Sequence, residues 1–496
     1  MSAEFDRDLQ SIQEARRAAE AARQAFLAFA NASQEVVDRV CAAMADAAEA
    51  AAARLGQMAH EETGYGVAAH KTLKNRFAAR RVWESIRAIP TVGVIRRDAD
   101  RNLIEIAWPM GVVAALSPST NPTSTVIFKT LISVKARNAV VHAPHPSAAR
   151  CCYEAARIMA EAAEAAGAPP GLIQCLQTVS LEGTQALMRH KYIAVILATG
   201  GSPMVEAAHS VGKPAYGVGP GNVPAYVDRS ADVPRAARYL VGSKAFDHSV
   251  LCSTEQAVVA DRPIAAELKR RMQAEGAFFV DPAQADALRR ALYLPNGAIQ
   301  TASVGKSPQQ LAELAGIQVP PEARILVAEL QRVGREEPLS REKLTTVLGW
   351  YEADGWRAGC ERCIELIQFG GRGHSLVLHA QDEEVILAFG LEKPVFRIVV
   401  NTMGTLGTIG LTTGVMPSLT LGPGGIGGAI TGDNITVHHL YNVKRLAYEL
   451  QAPPPEAFGP AAPSDTGAPL DVARLESMVL AILQEVRRET AAADRA

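Results

Sequence analysis

Hydrophobic residues in the first part of the chain recur at three- and four-residue intervals. The first 90 residues are rich in alanine, and their large apolar side chains follow this spacing, as at Phe26, Phe29, Val37 and Val40. One face of a helix repeats at this interval, so the pattern predicts a series of amphipathic helices. Two β-like runs, 92–96 and 102–108, then surround a charged turn and predict an edge hairpin.

From Gly111 onward, short apolar runs alternate with helical stretches. Alternation of this kind predicts an α/β fold with a largely parallel sheet and helices on both faces. A second alternating block begins near Lys244. The predicted strands are 112–116, 138–142, 192–197, 225–227, 256–259, 325–328, 345–350, 375–378 and 397–400. The predicted helices include 147–166, 202–211 and 356–369.

Composition and charge indicate a large globular protein of more than one domain. A chain of 496 residues is too long for one ordinary core, so two or three domains are expected. The 48% hydrophobic and 21% charged content is usual for a globular enzyme, and a net charge of -2 gives no reason to expect nucleic acid or a membrane as partner. The first residues lack the apolar stretch of a secretion signal, and the seven scattered cysteines favour reduced thiols in the cytoplasm.

Two glycine-rich turns precede one cysteine in an order that indicates dinucleotide chemistry. TGGS at 199–202 follows an apolar run and precedes a helical stretch, whose start offers unpaired amides to a pyrophosphate. GVGPGN at 217–222 comes next, and KAFDHSVLCSTEQ at 244–256 contains the cysteine. A thiolate can attack an aldehyde, and the thiohemiacetal can pass a hydride to a nicotinamide and leave a thioester. We therefore expect a nucleophile at Cys252 and cofactor contacts at Thr199, Gly200, Gly201, Ser202 and Gly219.

These motifs resemble those of the aldehyde dehydrogenase superfamily, and most closely its coenzyme A-acylating branch. KAFD and CSTEQ within 244–256 are similar to the branch's cysteine motif, and SPSTNPTSTVIFK at 117–129 and PSLTLG at 417–422 are similar to two further signatures. The similarity runs from the first helix to about residue 450. It implies an enzyme of the acetaldehyde or propionaldehyde dehydrogenase type, which oxidises a short aldehyde to its acyl-CoA with NAD, or NADP, and coenzyme A.

The resemblance also implies a domain plan. A Rossmann-type cofactor domain is expected over 1–240, with an oligomerisation hairpin near 91–108. An α/β catalytic domain is expected over 241–430, and a return segment or oligomerisation arm over 431–450. A homodimer or homotetramer in the cytoplasm is implied.

Position 218 separates two reactions within the superfamily. Hydrolytic members carry a glutamate 34 residues before the nucleophile, where this chain has Val218. Valine cannot act as a base on water, whereas the thiol of coenzyme A needs less help. The substitution therefore favours acyl transfer, unless another carboxylate serves as the base.

Donors for the oxyanion are expected at the backbone amide of Cys252 and the side chain of Asn121. In hydrolytic members the asparagine stands two residues before the proline, whereas Asn121 stands one before it. An ordinary Asn-Pro turn is the alternative.

The remaining cofactor contacts follow from the resemblance. Glu337 resembles the glutamate that holds the nicotinamide ribose, with Glu336 as the alternate and a surface acidic pair as the ordinary explanation. Pro144 lies in APHPS at 143–147, where the family's usual lysine and glutamate are Ala143 and Pro146. NAD is expected, with NADP left open.

Several other residues invite a functional interpretation. His248 could tune the thiolate, whereas His374 and the pair at 438–439 are expected to be structural. Cys360 and Cys363 could suggest a metal or redox pair, but their helical setting without further ligands favours packing, and no metal is expected.

The end of the chain changes composition sharply. Residues 451–469 form a Pro/Ala-rich linker, and 470–488 form an amphipathic helix with one apolar stripe. The segment 471–486 resembles the encapsulation peptides that carry enzymes into bacterial microcompartments. Docking on the enzyme's own oligomer is the alternative. A hydrolytic aldehyde dehydrogenase and a catalytically silent cofactor-binding scaffold are the competing functions.

Overall fold

The computed structural model describes residues 6–459 and 471–493. One compact unit holds residues up to Arg96 together with Glu105–Arg445, and a second, small unit holds Arg97–Ile104 and the residues from Leu446 on. The α-helices within the described residues are α1 (Arg7–Phe29), α2 (Gln34–Ala50), α3 (Ala52–Thr63), α4 (Ala68–Arg76), α5 (Val82–Ile86), α6 (Pro122–Lys135), α7 (Ala149–Ala165), α8 (Leu181–Arg189), α9 (Ser202–Ser210), α10 (Val233–Ala245), α11 (Arg262–Ala274), α12 (Pro282–Leu292), α13 (Pro308–Ala315), α14 (Gly355–Phe369), α15 (Glu383–Glu392), α16 (Gly404–Gly407) and α17 (Val472–Ala493).

The strands form three sheets, of which the two larger are parallel throughout. The strands in chain order are β1 (Gly93–Asp98), β2 (Leu103–Pro109), β3 (Val112–Ser117), β4 (Ala139–Pro144), β5 (Ile173–Cys175), β6 (Ile193–Thr199), β7 (Ala215–Val218), β8 (Val223–Val227), β9 (Glu255–Asp261), β10 (Ala277–Phe279), β11 (Ile325–Glu329), β12 (Val347–Ala353), β13 (Leu376–His379), β14 (Ile398–Val400) and β15 (Tyr441–Ala447).

The first parallel sheet has the order β5-β4-β3-β6-β7. Its central strands β3 and β4 are buried along their whole length, because helices cover both faces and the strands carry continuous apolar runs. Apolar side chains of α1, α2, α6 and α7 share one core with this sheet. The alternation of apolar runs therefore predicted the α/β class correctly.

The second parallel sheet has seven strands in the order β10-β11-β12-β9-β8-β13-β14. The chain leaves the first sheet after β7 and enters the second at β8, so the change of sheet falls within residues 219–222. This point precedes the domain boundary expected at residue 240. The apolar run of β8 is like those before it, so the pattern alone gave no sign that it joins a different sheet.

The predicted hairpin forms β1 and β2, which join β15 in a three-stranded sheet of order β1-β2-β15. β15 lies within the segment 431–450, expected to be an oligomerisation arm. The short strands β5, β7 and β10 were also absent from the predicted set, because runs of three or four residues are hard to distinguish from loop.

The amphipathic helix near the end is present as α17. Seven of its apolar side chains are exposed: Val472, Leu475, Met478, Val479, Leu480, Ile482 and Leu483. Most of the predicted linker 451–469 lies outside the described residues. Among the described helices, none is both long and apolar enough to cross a membrane.

Candidate active site

Cys252 lies on an irregular loop between α10 and β9. Three consecutive residues ahead of it, Asp247, His248 and Ser249, have positive φ angles of 49°, 47° and 65°. Residues other than glycine rarely adopt positive φ angles, because this backbone conformation costs about 1–3 kcal/mol for each residue. Such a loop therefore needs support from the structure around it.

Asp247 provides much of that support from a fully buried position. Its carboxylate accepts a hydrogen bond of 2.6 Å from the backbone N–H of Val67, and it forms ion pairs with Lys71, at 3.2 Å, and Lys74. Burial would raise the pKa of Asp247, but the two lysines outweigh it and hold that pKa below its usual value. The carboxylate thus ties the strained loop to the region of α4.

His374 is the side chain in contact with the nucleophile. Its Nε2 lies 3.2 Å from the Sγ of Cys252, although the two residues are 122 positions apart in the chain. Burial, together with the nearby Glu342, raises the pKa of Cys252 to about 12. Burial, together with Arg397, lowers the pKa of His374 to about 3. The resting pair is therefore a neutral thiol beside a neutral imidazole, with Nε2 within hydrogen-bond distance of the sulfur.

Arg397 holds His374 in place through the backbone. The buried guanidinium donates to the carbonyl of His374 at 2.7 Å, to the carbonyls of Gly422 and Gly432 at 2.7 Å each, and to the side chain of Asn434 at 2.5 Å. Since Gly422 ends the PSLTLG signature, one cation joins that motif to the histidine beside the nucleophile.

Asn121 lies in the connection between β3 and α6 and contacts the loop that carries Cys252. It precedes the first residue of α6, and its Nδ2 donates to the carbonyl of Val250 at 3.3 Å. Its Oδ1 accepts a hydrogen bond of 2.5 Å from Lys74. The amide N–H groups are therefore on the side of the nucleophile loop.

A cavity of about 750 Å³ lies beside His374. It brings together residues of both glycine-rich turns with the loops of the second sheet. Its lining includes Ser202, Gly219, Gly221, Glu342, Gly371 and His374.

The first glycine-rich turn links β6 to α9 at this cavity. Thr199 ends β6, Gly200 donates its N–H to the carbonyl of Val218 at 3.3 Å, and Gly201 precedes α9 in extended conformation. Ser202, the first residue of the helix, lines the cavity. Pro203 has no N–H and Met204 donates its N–H to the carbonyl of Gly201 at 3.0 Å, so the start of α9 offers an anionic group the N–H of Ser202 together with the positive end of the helix dipole.

The second glycine-rich turn passes directly against the nucleophile. A Cβ on Gly221 would overlap the carbonyl of Cys252, and one on Gly217 would overlap His209 and Val205 of α9. Gly219 lines the cavity and has open space beside its Cα. Together, the helix start, the open glycine and the lining carboxylate of Glu342 fit a dinucleotide with phosphate and ribose groups.

Glu337 and Pro144 lie outside the lining of this cavity. The carboxylate of Glu337 accepts hydrogen bonds of 2.9 and 2.6 Å from Arg289, and Pro144 ends β4 opposite Ser117. Glu342 lines the cavity instead, five residues after Glu337.

Glu342 is the carboxylate closest to this chemistry that sequence reasoning missed. It accepts a hydrogen bond of 3.0 Å from the N–H of Gly221, and burial raises its pKa to about 7. The charged run REEPLSREK contains three glutamates, and the sequence does not show which of them lines the cavity. Only the short turn Pro338–Ser340 decides which of them faces inward.

Val218 occupies the last position of β7, opposite Thr199, and is buried. The chain passes from it within three residues to Gly221, whose Cα abuts Cys252. The position that carries a glutamate in hydrolytic members of the family thus carries an apolar side chain here, three residues before the glycine that packs against Cys252.

Four histidines were singled out from the sequence: His248, His374, His438 and His439. His248 bonds to the carbonyl of Gly305 at 3.0 Å, and His438 bonds to the hydroxyl of Tyr441 at 2.8 Å. The expectation that His374 is structural is not supported, because it contacts Sγ of the cysteine. The glycines on either side of Arg372 were the available signal, since both have positive φ and force a tight turn there.

Cys360 and Cys363 are buried in α14, as expected for packing residues. The Sγ of Cys360 contacts the ammonium of Lys393 and lies 3.4 Å from the carboxylate of Glu392. Within the described residues, no group of three or more His, Cys, Asp or Glu side chains is arranged to hold a metal ion.

The aldehyde dehydrogenase family model matches residues 8–280. The chain belongs to the aldehyde dehydrogenase family. It is similar to an acetylating aldehyde dehydrogenase from Geobacillus thermoglucosidasius, with 49% identity and a TM-score of 0.89, over 90% of this chain and 99% of that one. It is also similar to the bifunctional aldehyde-alcohol dehydrogenase AdhE of Escherichia coli K12, at 40% identity over 424 residues.

The second match covers 84% of this chain and 48% of the Escherichia coli protein, so the chain spans about half the length of the curated relatives of this type. A propionaldehyde dehydrogenase from the Clostridium phytofermentans fucose utilisation bacterial microcompartment is a more distant match. It has 28% identity and a TM-score of 0.80, over 88% of this chain and 97% of that one.

These similarities place the chain in the coenzyme A-acylating branch. The prediction of an acylating aldehyde dehydrogenase, an oxidoreductase that converts an aldehyde to an acyl-CoA through a cysteine thioester, is confirmed. Enzymes of this branch use NAD(P)+ and coenzyme A.

Proposed function

We propose that Cys252 is the nucleophile of this acylating enzyme and that His374 is the base that receives its proton. The 3.2 Å contact between Sγ and Nε2 is the observation that carries the proposal. The neutral imidazole accepts the thiol proton as sulfur attacks the carbonyl carbon, so a bond forms between sulfur and carbon while the carbonyl oxygen becomes an oxyanion.

The oxyanion is held by the Nδ2 of Asn121 and the backbone N–H of Cys252. The Nδ2 of Asn121 already lies at the nucleophile loop, where it donates to the carbonyl of Val250 at 3.3 Å, and it exchanges this acceptor for the oxyanion as the charge develops. Loss of one such donor typically lowers the rate by about 10²–10³.

The cavity beside His374 holds the nicotinamide dinucleotide in this proposal. When bound, this cofactor supplies the hydride acceptor that turns the thiohemiacetal into a thioester. The first turn of α9 with Thr199, Gly200, Gly201 and Ser202 holds the pyrophosphate, and Gly219 permits close approach. Pro144, which lies outside the lining of the cavity, contacts the adenosine end of the cofactor where it extends beyond the cavity. We assign the ribose contact to Glu342 rather than Glu337, because Glu342 lines the cavity while Arg289 already binds Glu337. NAD is proposed over NADP, and initial rates with each cofactor test this choice.

Acyl transfer rather than hydrolysis follows from the side chain at position 218. Water attacking the thioester lacks a carboxylate from Val218, whereas the thiolate of coenzyme A is a good nucleophile without one. The sulfur of coenzyme A forms the new bond to the acyl carbon, and Cys252 leaves as thiolate and recovers a proton.

The decisive experiment compares Cys252→Ala with the unaltered enzyme. The variant should bind cofactor as before and form no acyl-CoA, because only the covalent step is removed. Cys175→Ala serves as the matched control and should retain full activity. Substantial turnover by Cys252→Ala would refute the assignment.

The substrate class is proposed to be a short-chain aldehyde. A panel that includes acetaldehyde, propionaldehyde, and sulfonated and hydroxylated aldehydes, followed through the absorbance of reduced cofactor with coenzyme A present, identifies the preferred member. Faster turnover of long-chain aldehydes than of any short one would refute this class.

We also propose that α17 directs a cytoplasmic homo-oligomer, a dimer or tetramer, into a bacterial microcompartment by binding a shell protein. Its apolar side chains from Val472 to Leu483 are 49–63% exposed, and burying each would contribute about 1.5 kcal/mol or more. Residues 451–496 fused to a fluorescent protein should give puncta only in cells that express the cognate shell. Diffuse fluorescence with the shell present would refute the proposal, and a change in oligomer size on deleting the segment would instead favour docking within the oligomer.

A further inference from the structure

We propose that Lys74 is a positioning residue that turns the amide of Asn121 towards the nucleophile loop. Its buried ammonium holds the side-chain oxygen of Asn121, so the Nδ2 end faces the nucleophile loop, where an N–H that donates to the carbonyl of Val250 or to the hydroxyl of Thr120 can turn to the oxyanion. The inference rests on the proposed oxyanion role of Asn121 and adds to it the group that sets the orientation.

The orientation of an asparagine amide requires such a group. The oxygen and nitrogen ends are nearly equal in size, so packing alone does not choose between them. A lysine ammonium has only donors and must face the oxygen. The Nζ of Lys74 lies 2.5 Å from Oδ1 of Asn121, and the Nδ2 at the other end lies 3.3 Å from the carbonyl of Val250. Val250 is two residues before Cys252, so the donor end faces the loop of the nucleophile.

The charges around Lys74 also favour an oxyanion. Lys71, Lys74 and Asp247 are all buried, and two ammonium groups against one carboxylate leave one positive charge in excess. Burial lowers the pKa of Lys74 to about 8 while Asp247 opposes the shift, so the ammonium predominates at neutral pH. Lys71 also donates to the carbonyl of Thr120 at 3.3 Å. The excess charge therefore lies at the start of α6, where the helix amides add partial positive charge.

The two lysines contact different parts of this segment. Lys74 bonds to the side chain of Asn121, whereas Lys71 bonds to the backbone carbonyl of Thr120 and to Asp247. Both support the strained loop through the same carboxylate. The chain thus offers a matched pair of substitutions, of which only one removes the bond that orients the amide.

A double-mutant cycle on the acylation step tests the proposal. The rate constant is measured as the burst of reduced cofactor on mixing enzyme, cofactor and aldehyde. Lys74→Met should lower this rate by about 10- to 100-fold with little change in aldehyde KM, since the lost interaction acts mainly in the transition state. In an Asn121→Ala background, the same substitution should cost less than about threefold, because the amide it orients is gone. An equal cost in both backgrounds would overturn the inference.

Two further variants keep the result interpretable. Lys71→Met should cost less than about fivefold and should add to Asn121→Ala without coupling, because the bond from Lys74 to the amide remains. Equal coupling of both lysines would overturn the inference in favour of a shared structural effect. If Lys74→Met does not fold, as judged by circular dichroism and cofactor binding, Lys74→Gln retains a donor and should show a smaller loss that is still coupled to Asn121. Absence of that coupling would overturn the inference.

The cycle also separates this inference from its premise. If Asn121→Ala alone leaves the acylation rate unchanged, the oxyanion role of Asn121 fails and the inference fails with it. If Asn121→Ala lowers the rate but Lys74→Met does not couple to it, the oxyanion role stands and only the positioning role of Lys74 is refuted.

Discussion

Removal of the His374 imidazole should leave Cys252 without a general base to accept its thiol proton. With a pKa of about 12, the thiol would be ionised to about one part in 10⁴ at pH 8 without help. In the unaltered enzyme, His374 takes the proton during attack at 3.2 Å, so this small fraction does not limit the reaction. His374→Ala should therefore lower the acylation rate by about 10²–10⁴, the usual contribution of general-base catalysis.

The assay is the burst of reduced cofactor on rapid mixing with aldehyde in the absence of coenzyme A. In His374→Ala the rate should rise about tenfold per pH unit from pH 7 to 10, because only preformed thiolate reacts. His248→Ala is the matched control, since that histidine lies on the nucleophile loop but bonds to the carbonyl of Gly305. A His374→Ala rate within threefold of the unaltered enzyme would refute the reasoning.

The acid side of the same profile provides an independent check. Burial and Arg397 hold the pKa of His374 at about 3, so its imidazole stays neutral throughout pH 5–8. The unaltered enzyme should therefore show no loss of acylation near pH 6.5, where an ordinary histidine becomes protonated. A loss with a midpoint there would mean that the imidazole is not held in the buried, neutral state.

Three further outcomes are expected. Val218→Glu should raise the ratio of free acid to acyl-CoA, measured by product chromatography, because it places a carboxylate near the thioester; an unchanged ratio in a folded variant would count against the role of position 218. Burial raises the pKa of Glu342 to about 7, so the folded state favours the protonated carboxyl and loses stability as the pH rises from about 4.5 to 7. In thermal unfolding, Glu342→Gln should therefore stabilise the enzyme by up to about 3 kcal/mol at pH 8. At pH 4.5 the same substitution should change the free energy of unfolding little. Glu342→Gln should also weaken cofactor binding more than Glu337→Gln in a fluorescence titration, and the reverse order would restore Glu337 as the ribose contact.

Local patterns predicted the elements whose signal lies within a short stretch of chain. The buried strands β3, β4 and β9 each contain a short apolar run, and the glycine turn at 199–202 stands between a strand and a helix as expected. Cys252 was identifiable because its motif is contiguous. These features depend on residues that are close together in the sequence, so the sequence alone predicts them.

The features that escaped prediction depend on contacts between distant segments. His374 precedes β13 and Cys252 precedes β9, and these two strands belong to the same sheet. The fold therefore brings together two residues that are 122 positions apart in the sequence. Glu342 and Glu337 differ in function because of a single short turn between them. Neither the hydrophobic period nor the residue types in REEPLSREK carry that information.

The arrangement explains how one scaffold can favour a thiol over water without excluding water physically. The hydrolytic reaction needs a base on the side of β7, and that position is the buried Val218. The proposed base, His374, lies beside Sγ and serves the cysteine itself. Because an incoming thiolate needs no base, removing one carboxylate from β7 changes the acceptor while the nucleophile, the oxyanion donor and the cofactor cavity stay as they are. The proposal thus makes the choice of product depend on position 218 and assigns Glu342 to the cofactor instead of to water, and this is why the Val218→Glu result tests it.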